Sequence, residues 1–221
     1  MKKSRKRKYI FVKVFAAILV VLFIIWIIPD HRYNGIDISH YQEKLDWNSI
    51  KKDKHIKFCL VKATEGGTHV DKQCINNVKK SNLNGLKTGL YHYFRTGVSG
   101  KKQFDNFNKV LKQCKYQIIP AIDVERERND LDLKGKANKN LEELIECFKK
   151  EYGYYPIIYL GSFDALTTLP AIIKCKWWVR CIKFRNLIPS TIKQVEIKKY
   201  KGIKVDIDYC SNREDILIPN T

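Results

Sequence analysis

The stretch IIPAIDVERER, residues 118–128, is an apolar run that ends in three acids at spacing two: Asp123, Glu125 and Glu127. Acids are poor strand formers and expensive to bury. Their place at the tip of a buried-looking strand therefore calls for a reason beyond packing. Asp123 and Glu125 stand at i and i+2, so both point to the same side of a strand, with Cα atoms roughly 6.5–7 Å apart. Arg126 points to the opposite face. Glu127 repeats the spacing but lies past the predicted strand end, and it reads as a solvated loop acid.

Working outward, short apolar or β-branched runs recur at 35–39, 58–63, 86–94, 117–125, 156–160, 177–181, 195–200 and 205–210. Helical patterns separate the early ones. HVDKQCINNVKKSNLNG runs to a glycine stop. KKQFDNFNKVLKQC sets Phe104, Phe107, Leu111 and Cys114 on one face. NLEELIECFKKEYG sets Leu141, Leu144, Ile145, Phe148 and Tyr152 at helical spacing before Gly153. The early strands are nearly continuous apolar runs, as in parallel sheets covered on both faces. Strand–helix alternation with eight strands predicts an α/β fold. It is an irregular eight-stranded β/α (TIM-like) barrel, irregular in its last part because the connections there are too short for full helices.

In such barrels functional groups gather at the C-terminal ends of the strands. Those ends carry Asp37, then Lys62 and Glu65, then Tyr91, His92 and Tyr93, then Asp123 and Glu125. Tyr159, Trp177, Trp178, Asp206 and Asp208 follow. Closure makes the first and last strands neighbours, which brings Asp37 and Asp206 together. Two carboxylates in a partly dry cleft push each other's pKa values apart. One stays ionised while the other holds a proton, the division of labour that glycosidic bond cleavage needs. Glu125 has the longer side chain and is expected to be the proton donor, with Asp123 stabilising positive charge. His92 reads as a packed histidine behind the site. Lys62 and Glu65 read equally well as an internal salt bridge. Trp177 and Trp178 alternate faces, so one belongs to the core and the other can stack on a sugar. Tyr33, His40 and Tyr41 carry no assignment.

Ahead of this region lies MKKSRKRKY, followed by a 19-residue run from Ile10 to Ile28 broken only by Lys13. At ~1.5 Å per residue it spans about 28 Å, near the thickness of a bilayer core. The run is longer than a signal-peptide core and lacks a small-residue cleavage site, which favours an uncleaved anchor. Six Lys/Arg among residues 2–8 hold the N-terminus inside. The expected organisation is a basic cytoplasmic tail (1–9), a transmembrane anchor (10–28), a short linker (29–33) and one domain (34–221) outside the cytoplasmic membrane. Residues 1–30 hold seven Lys/Arg and one Asp, so about +13 of the formal charge of +19 belongs to the exported part. That charge favours cell-wall polymers or lipid headgroups over nucleic acid; it equally fits scattered solvated lysines. The seven cysteines form no CxxC or Cys/His zinc spacing, and no metal or cofactor is expected. They read as mostly buried thiols, with Cys175 and Cys181 as the one local pair.

The motifs GIDISHYQ, DWNSI, VKATEG with Asp71 six residues after Glu65, GLKTGLYHYF, PAIDVE, PIIYL, WWV and GIKVDID occur in this order. Together they resemble the lysozymes (N-acetylmuramidases) of glycoside hydrolase family 25, over roughly Asn34 to Cys210. The resemblance implies cleavage of the β-1,4 bond between N-acetylmuramic acid and N-acetylglucosamine in peptidoglycan glycan strands, by a monomer. It implies Glu125 as general acid/base and Asp123 as the group that orients the substrate's acetamido nucleophile. Asp37 and Asp206 match the other acids, and Tyr91 and Tyr159 match aromatic positions of the groove, where Tyr93, Trp178 and Asp208 are also expected to meet substrate. Two departures stand out. The family's Trp-Gln-Tyr has its nearest match at Lys198, Lys199 and Tyr200, and Arg180 replaces a small residue after the apolar strand. A silent wall-binding protein on the same scaffold, or a hydrolase of another N-acetylated glycan, are the alternatives.

Overall fold

The computed structural model describes residues 13–20, 33–125, 135–161, 170–180 and 190–219. In chain order its elements are α1 (13–20), β1 (Asn34–Ile38), α2 (Trp47–Lys52), β2 (Ile56–Glu65), β3 (His69–Val70), α3 (Cys74–Leu83), β4 (Lys87–Tyr93) and α4 (Gly100–Leu111). They continue with β5 (Ala121–Val124), α5 (Lys136–Tyr152), β6 (Ile157–Leu160), β7 (Lys176–Arg180), β8 (Ile192–Tyr200) and β9 (Ile203–Cys210). Among the described residues nine strands form one sheet. β1 pairs with both β2 and β9, so eight strands close into a barrel and the two-residue β3 hangs on the end of β2.

The alternation of the strands builds two apolar layers. On β2, Phe58 and Leu60 point into the barrel with Ile157 and Ile192, while Cys59 and Val61 point out toward the helices. Helix α4 begins at the Ser99 cap and lays Phe104 and Phe107 on that outer layer. Helix α5 adds Leu141, Leu144 and Phe148 and ends at Gly153, whose φ of 77° is the left-handed stop that glycine adopts without strain. Gly35 on β1 is needed for a different reason: a Cβ there would lie 2.2 Å from the Phe58 ring. The floor of the barrel is plugged by the chain after β9, where the Ile119 N–H donates to the Ile216 carbonyl at 2.8 Å.

Three features differ from the sequence expectation. The predicted strand 117–125 is shorter, because Pro120 cannot donate to a ladder. Gln117–Pro120 instead runs beneath the barrel, with Ile118 bridged to Leu217. His69 and Val70, read as the start of a helix, form β3, and α3 begins at Cys74. The last strand is antiparallel to both its neighbours. Only Lys201 and Gly202 link it to β8, both with positive φ (48° and 88°). Two such residues close a hairpin, whereas a parallel return needs a dozen or more.

Among the described residues no helix is long and apolar enough to cross a membrane. The predicted span Ile10–Ile28 falls mostly outside them; its described part, 13–20, is helical with exposed side chains. Arg126, Glu127 and Cys181 also lie outside the described residues, and with Cys181 the predicted Cys175–Cys181 pair.

Candidate active site

A cleft of about 620 Å³ opens at the end of the barrel where the parallel strands finish. Asp37, Asp123, Glu125 and Asp206 all line it, together with Tyr91, Tyr93, Tyr159 and Trp178. Asp206 reaches this rim because β9 is reversed: it pairs with Asp37 across the β1–β9 ladder. Asp208, two residues further along β9, is thereby carried down into the barrel opposite Gly35. It is fully buried and is not part of the cleft wall, unlike the substrate contact expected from sequence. The Trp178 Nε1–H donates to its Oδ1 at 2.8 Å. Burial, then the charge of Asp37, push the Asp208 carboxyl well above the usual carboxylate range, and its Oδ2 is buried without a hydrogen-bond partner among the described residues.

The floor is aromatic. Trp178 packs edge-on to Tyr159 (4.6 Å between centroids) and Tyr91 (6.0 Å). All three are nearly covered, so what they offer a ligand is an edge rather than an open face. From Tyr159 a hydrogen-bond chain crosses the cleft. Its OH donates to Gln194 Oε1 at 2.9 Å, and Gln194 Nε2 donates to Asp37 Oδ2 at 3.0 Å.

Two strand irregularities place the walls. On β2 the register slips between Lys62 and Thr64, so Lys62 and Glu65 both face the cleft at i, i+3. There Lys62 Nζ meets Glu65 Oε2 at 2.7 Å, and Arg95 Nε donates to Glu65 Oε1 at 2.9 Å. Tyr93 lies between the two cations. Burial raises the Glu65 carboxyl, but the two hydrogen-bonded cations outweigh it and hold the group at about 2. This is a fixed ion cluster. On β8 the register slips between Gln194 and Glu196, which turns both Gln194 and Ile197 toward the cleft. Sequence reasoning missed Gln194 because the strand was begun at Val195; the isoleucine at 192 was the available signal. Lys198 and Tyr200, the nearest sequence match to the family's Trp-Gln-Tyr, bond Asp53 at the end of α2, at 2.5 and 2.9 Å.

His92 is buried behind the site, bonded to Thr64 (2.8 Å) and Gln103 (3.1 Å), and burial lowers it to about 4. His40 and Tyr41, unassigned from sequence, sit on the rim. His40 Nδ1 lies 2.7 Å from Asp71, and its ring packs at a tilt against the exposed Tyr41.

The acids are held out of their usual range. Burial first, then Asp206, lift Asp37 to about 7. Burial raises Asp206, with the Arg180 charge opposing it. Burial, then the charges of Glu125 and Asp37, push Asp123 well up, and its Oδ1 is buried without a hydrogen-bond partner among the described residues. Sequence analysis expects Glu125 as the proton donor; burial and the neighbouring charges favour a proton on Asp123 as well. The two acids titrate as a pair. Glu125, half-buried, rests on Gly161, where a Cβ would stand 3.2 Å from its Oε1.

One consequence concerns stability. Asp37 passes from an unfolded value near 3.8 to about 7 in the fold. The native state therefore binds the extra proton between those values, and stability falls as pH rises through that window. Asp37→Asn keeps an acceptor for Gln194 and removes the charge. It is expected to raise the melting temperature at pH 8, by the equivalent of about 2–4 kcal/mol, and to change nothing near pH 3.5. Equal shifts at both pH values in calorimetry would contradict the raised Asp37.

A closed β/α barrel with an acid-lined cleft at its strand ends has the architecture of a carbohydrate-active enzyme. The sequence profile of Glycosyl hydrolases family 25 matches residues 36–187, and the chain belongs to that family. It is 33% identical over 162 residues to the uncharacterized protein YegX of Escherichia coli K12, a match covering 71% of this chain and 59% of YegX. It is 28% identical over 153 residues to Lysozyme M1 of Streptomyces globisporus, covering 66% of this chain and 48% of that one. The solved family 25 glycosyl hydrolase from Bacillus anthracis superposes with a TM-score of 0.72 at 26% identity, over 85% of this chain and 93% of the other. The chain thus matches well under two thirds of the length of these curated relatives.

Proposed function

We propose that this barrel hydrolyses peptidoglycan at the β-1,4 bond between N-acetylmuramic acid and N-acetylglucosamine. The observation that carries the proposal is the convergence of Asp37, Asp123, Glu125 and Asp206 on one sugar-sized cleft. Glu125, at the mouth, protonates the departing glycosidic oxygen. The substrate's acetamido carbonyl attacks the anomeric carbon, and Asp123 accepts the acetamido N–H. That hydrogen bond stabilises the Asp123 anion, so the proton shared by the pair moves to Glu125, where it is needed. Glu125, now ionised, then takes a proton from the water that opens the cyclic intermediate. Asp37, held by Gln194, and Asp206 supply negative potential as positive charge grows on the sugar. Lysozyme M1, the named relative above, is consistent with this substrate.

The proposed setting is a single-pass membrane protein, tethered through residues 10–28, with the tail inside and the barrel outside, acting as a monomer. Its support is the basic block and apolar run of the sequence. One experiment addresses bond and setting together. The full chain is recovered from the membrane fraction and incubated with peptidoglycan and, separately, with chitin oligomers, and the fragments are read by mass spectrometry. Peptidoglycan fragments ending in reducing N-acetylmuramic acid are expected. Chitin cleavage alone would point to another N-acetylated glycan. Sedimentation with peptidoglycan without new ends would mean a silent binder, and recovery in the soluble fraction would remove the tether.

A further inference from the structure

Arg180 breaks the family pattern in sequence, and its placement gives it a use. It is the last residue of β7 and shares the strand face of Trp178, so it stands on the cleft wall one step above the aromatic floor. It is exposed, pairs in register with Gln194 through its backbone, and its side chain makes no hydrogen bond or ion pair among the described residues. The other Lys and Arg side chains lining the cleft, Lys62 and Arg95, are both tied to Glu65 on the opposite wall. Arg180 is also close enough to Asp206 to oppose the effect of burial on it.

A cleft centred on four acids repels an anionic substrate. An arginine on one edge, with its planar fork uncommitted among the described residues, counters that repulsion and can recognise a carboxylate with two parallel hydrogen bonds. We propose that Arg180 forms a carboxylate-recognition subsite on the β7 side of the cleft. The inference rests on the proposed peptidoglycan substrate, whose muramic acid carries a lactyl ether. That lactyl carboxyl is either free or amide-linked to a peptide bearing carboxylates of its own. These are two sources of one chemistry.

The test compares the wild-type chain with Arg180→Gln on three soluble substrates: native peptidoglycan fragments, the same fragments with carboxyls amidated, and glycan strands stripped of peptide. Arg180→Gln is expected to raise KM about tenfold on native fragments, as loss of one charge-assisted pair would, and to leave the amidated substrate unchanged. Wild type loses a similar factor on amidation. Persistence of the effect on stripped strands assigns the lactyl carboxylate; its disappearance there assigns the peptide. An equal fall in kcat on all three, with a shifted pH profile, would place Arg180 in the service of Asp206 and overturn the subsite, as would no effect at all. Binding of Glu125→Gln and Glu125→Gln/Arg180→Gln to native and amidated fragments is measured in parallel. That readout holds even if wild type proves inactive, so failure of the proposed reaction and failure of the subsite are told apart.

Discussion

Glu125→Gln is expected to abolish the release of reducing ends from peptidoglycan, lowering turnover by about 10³-fold or more. Positioned general acid–base catalysis contributes roughly 10²–10⁴-fold, and in the proposed mechanism one group serves both steps, protonating the leaving oxygen and then activating water. Glutamine keeps the length and shape of the side chain, so it fits the same space over Gly161, but it has no proton to give at working pH. The half-buried position means that the fold loses no deep packing, and the melting temperature should stay close to wild type. Binding should also persist, since the aromatic floor and the Tyr159–Gln194–Asp37 chain are untouched. Reducing-end assays on both proteins, with sedimentation against the same polymer, separate the steps. Wild-type turnover in the variant would transfer the acid/base role elsewhere in the cleft.

The pattern of the barrel was legible because each strand is a short apolar run with its own period. Asp37, Asp123 and Glu125 could be placed on one rim from strand ends, and closure set Asp206 beside Asp37 although its strand runs the other way. What the pattern hid has a physical cause in each instance. Asp206 and Asp208 look equivalent in VDID, yet reversal of β9 sends one to the rim and the other into the interior; direction follows from the two-residue turn at Lys201–Gly202, not from hydrophobicity. The bulges on β2 and β8 shift side-chain parity by one; on β8 strict alternation therefore overlooks Gln194 and Ile197. The proton on the Asp123–Glu125 pair was assigned by side-chain length. Length takes no account of depth: β5 pairs with β4 and β6 on either side, and the buried Asp123 is raised by desolvation before any charge acts on it.

That last point makes Asp123→Asn the second variant with a large expected effect. Asp123 is buried with one oxygen unpartnered, a position that burial and the charges of Glu125 and Asp37 make unfavourable for an anion. In the proposed mechanism a substrate N–H that reaches the carboxylate stabilises the Asp123 anion, and the same event passes the shared proton to Glu125. Asparagine can still accept the N–H but carries no charge, so it can neither stabilise the positive intermediate nor hand over a proton. A fall in kcat of about 10²–10³-fold is expected, in the range seen for loss of one preorganised electrostatic group, with KM nearly unchanged. The pH profile gives the sharper readout. In wild type the pair must hold one proton, so activity is bounded by its lower and upper apparent pKa values. Removing the Asp123 charge removes the repulsion that keeps a proton on Glu125, so the Glu125 pKa falls. The alkaline limb should therefore move to lower pH. An alkaline limb that stays in place, or moves up, would mean that the two carboxyls do not share a proton, and with it the division of roles between them would fail.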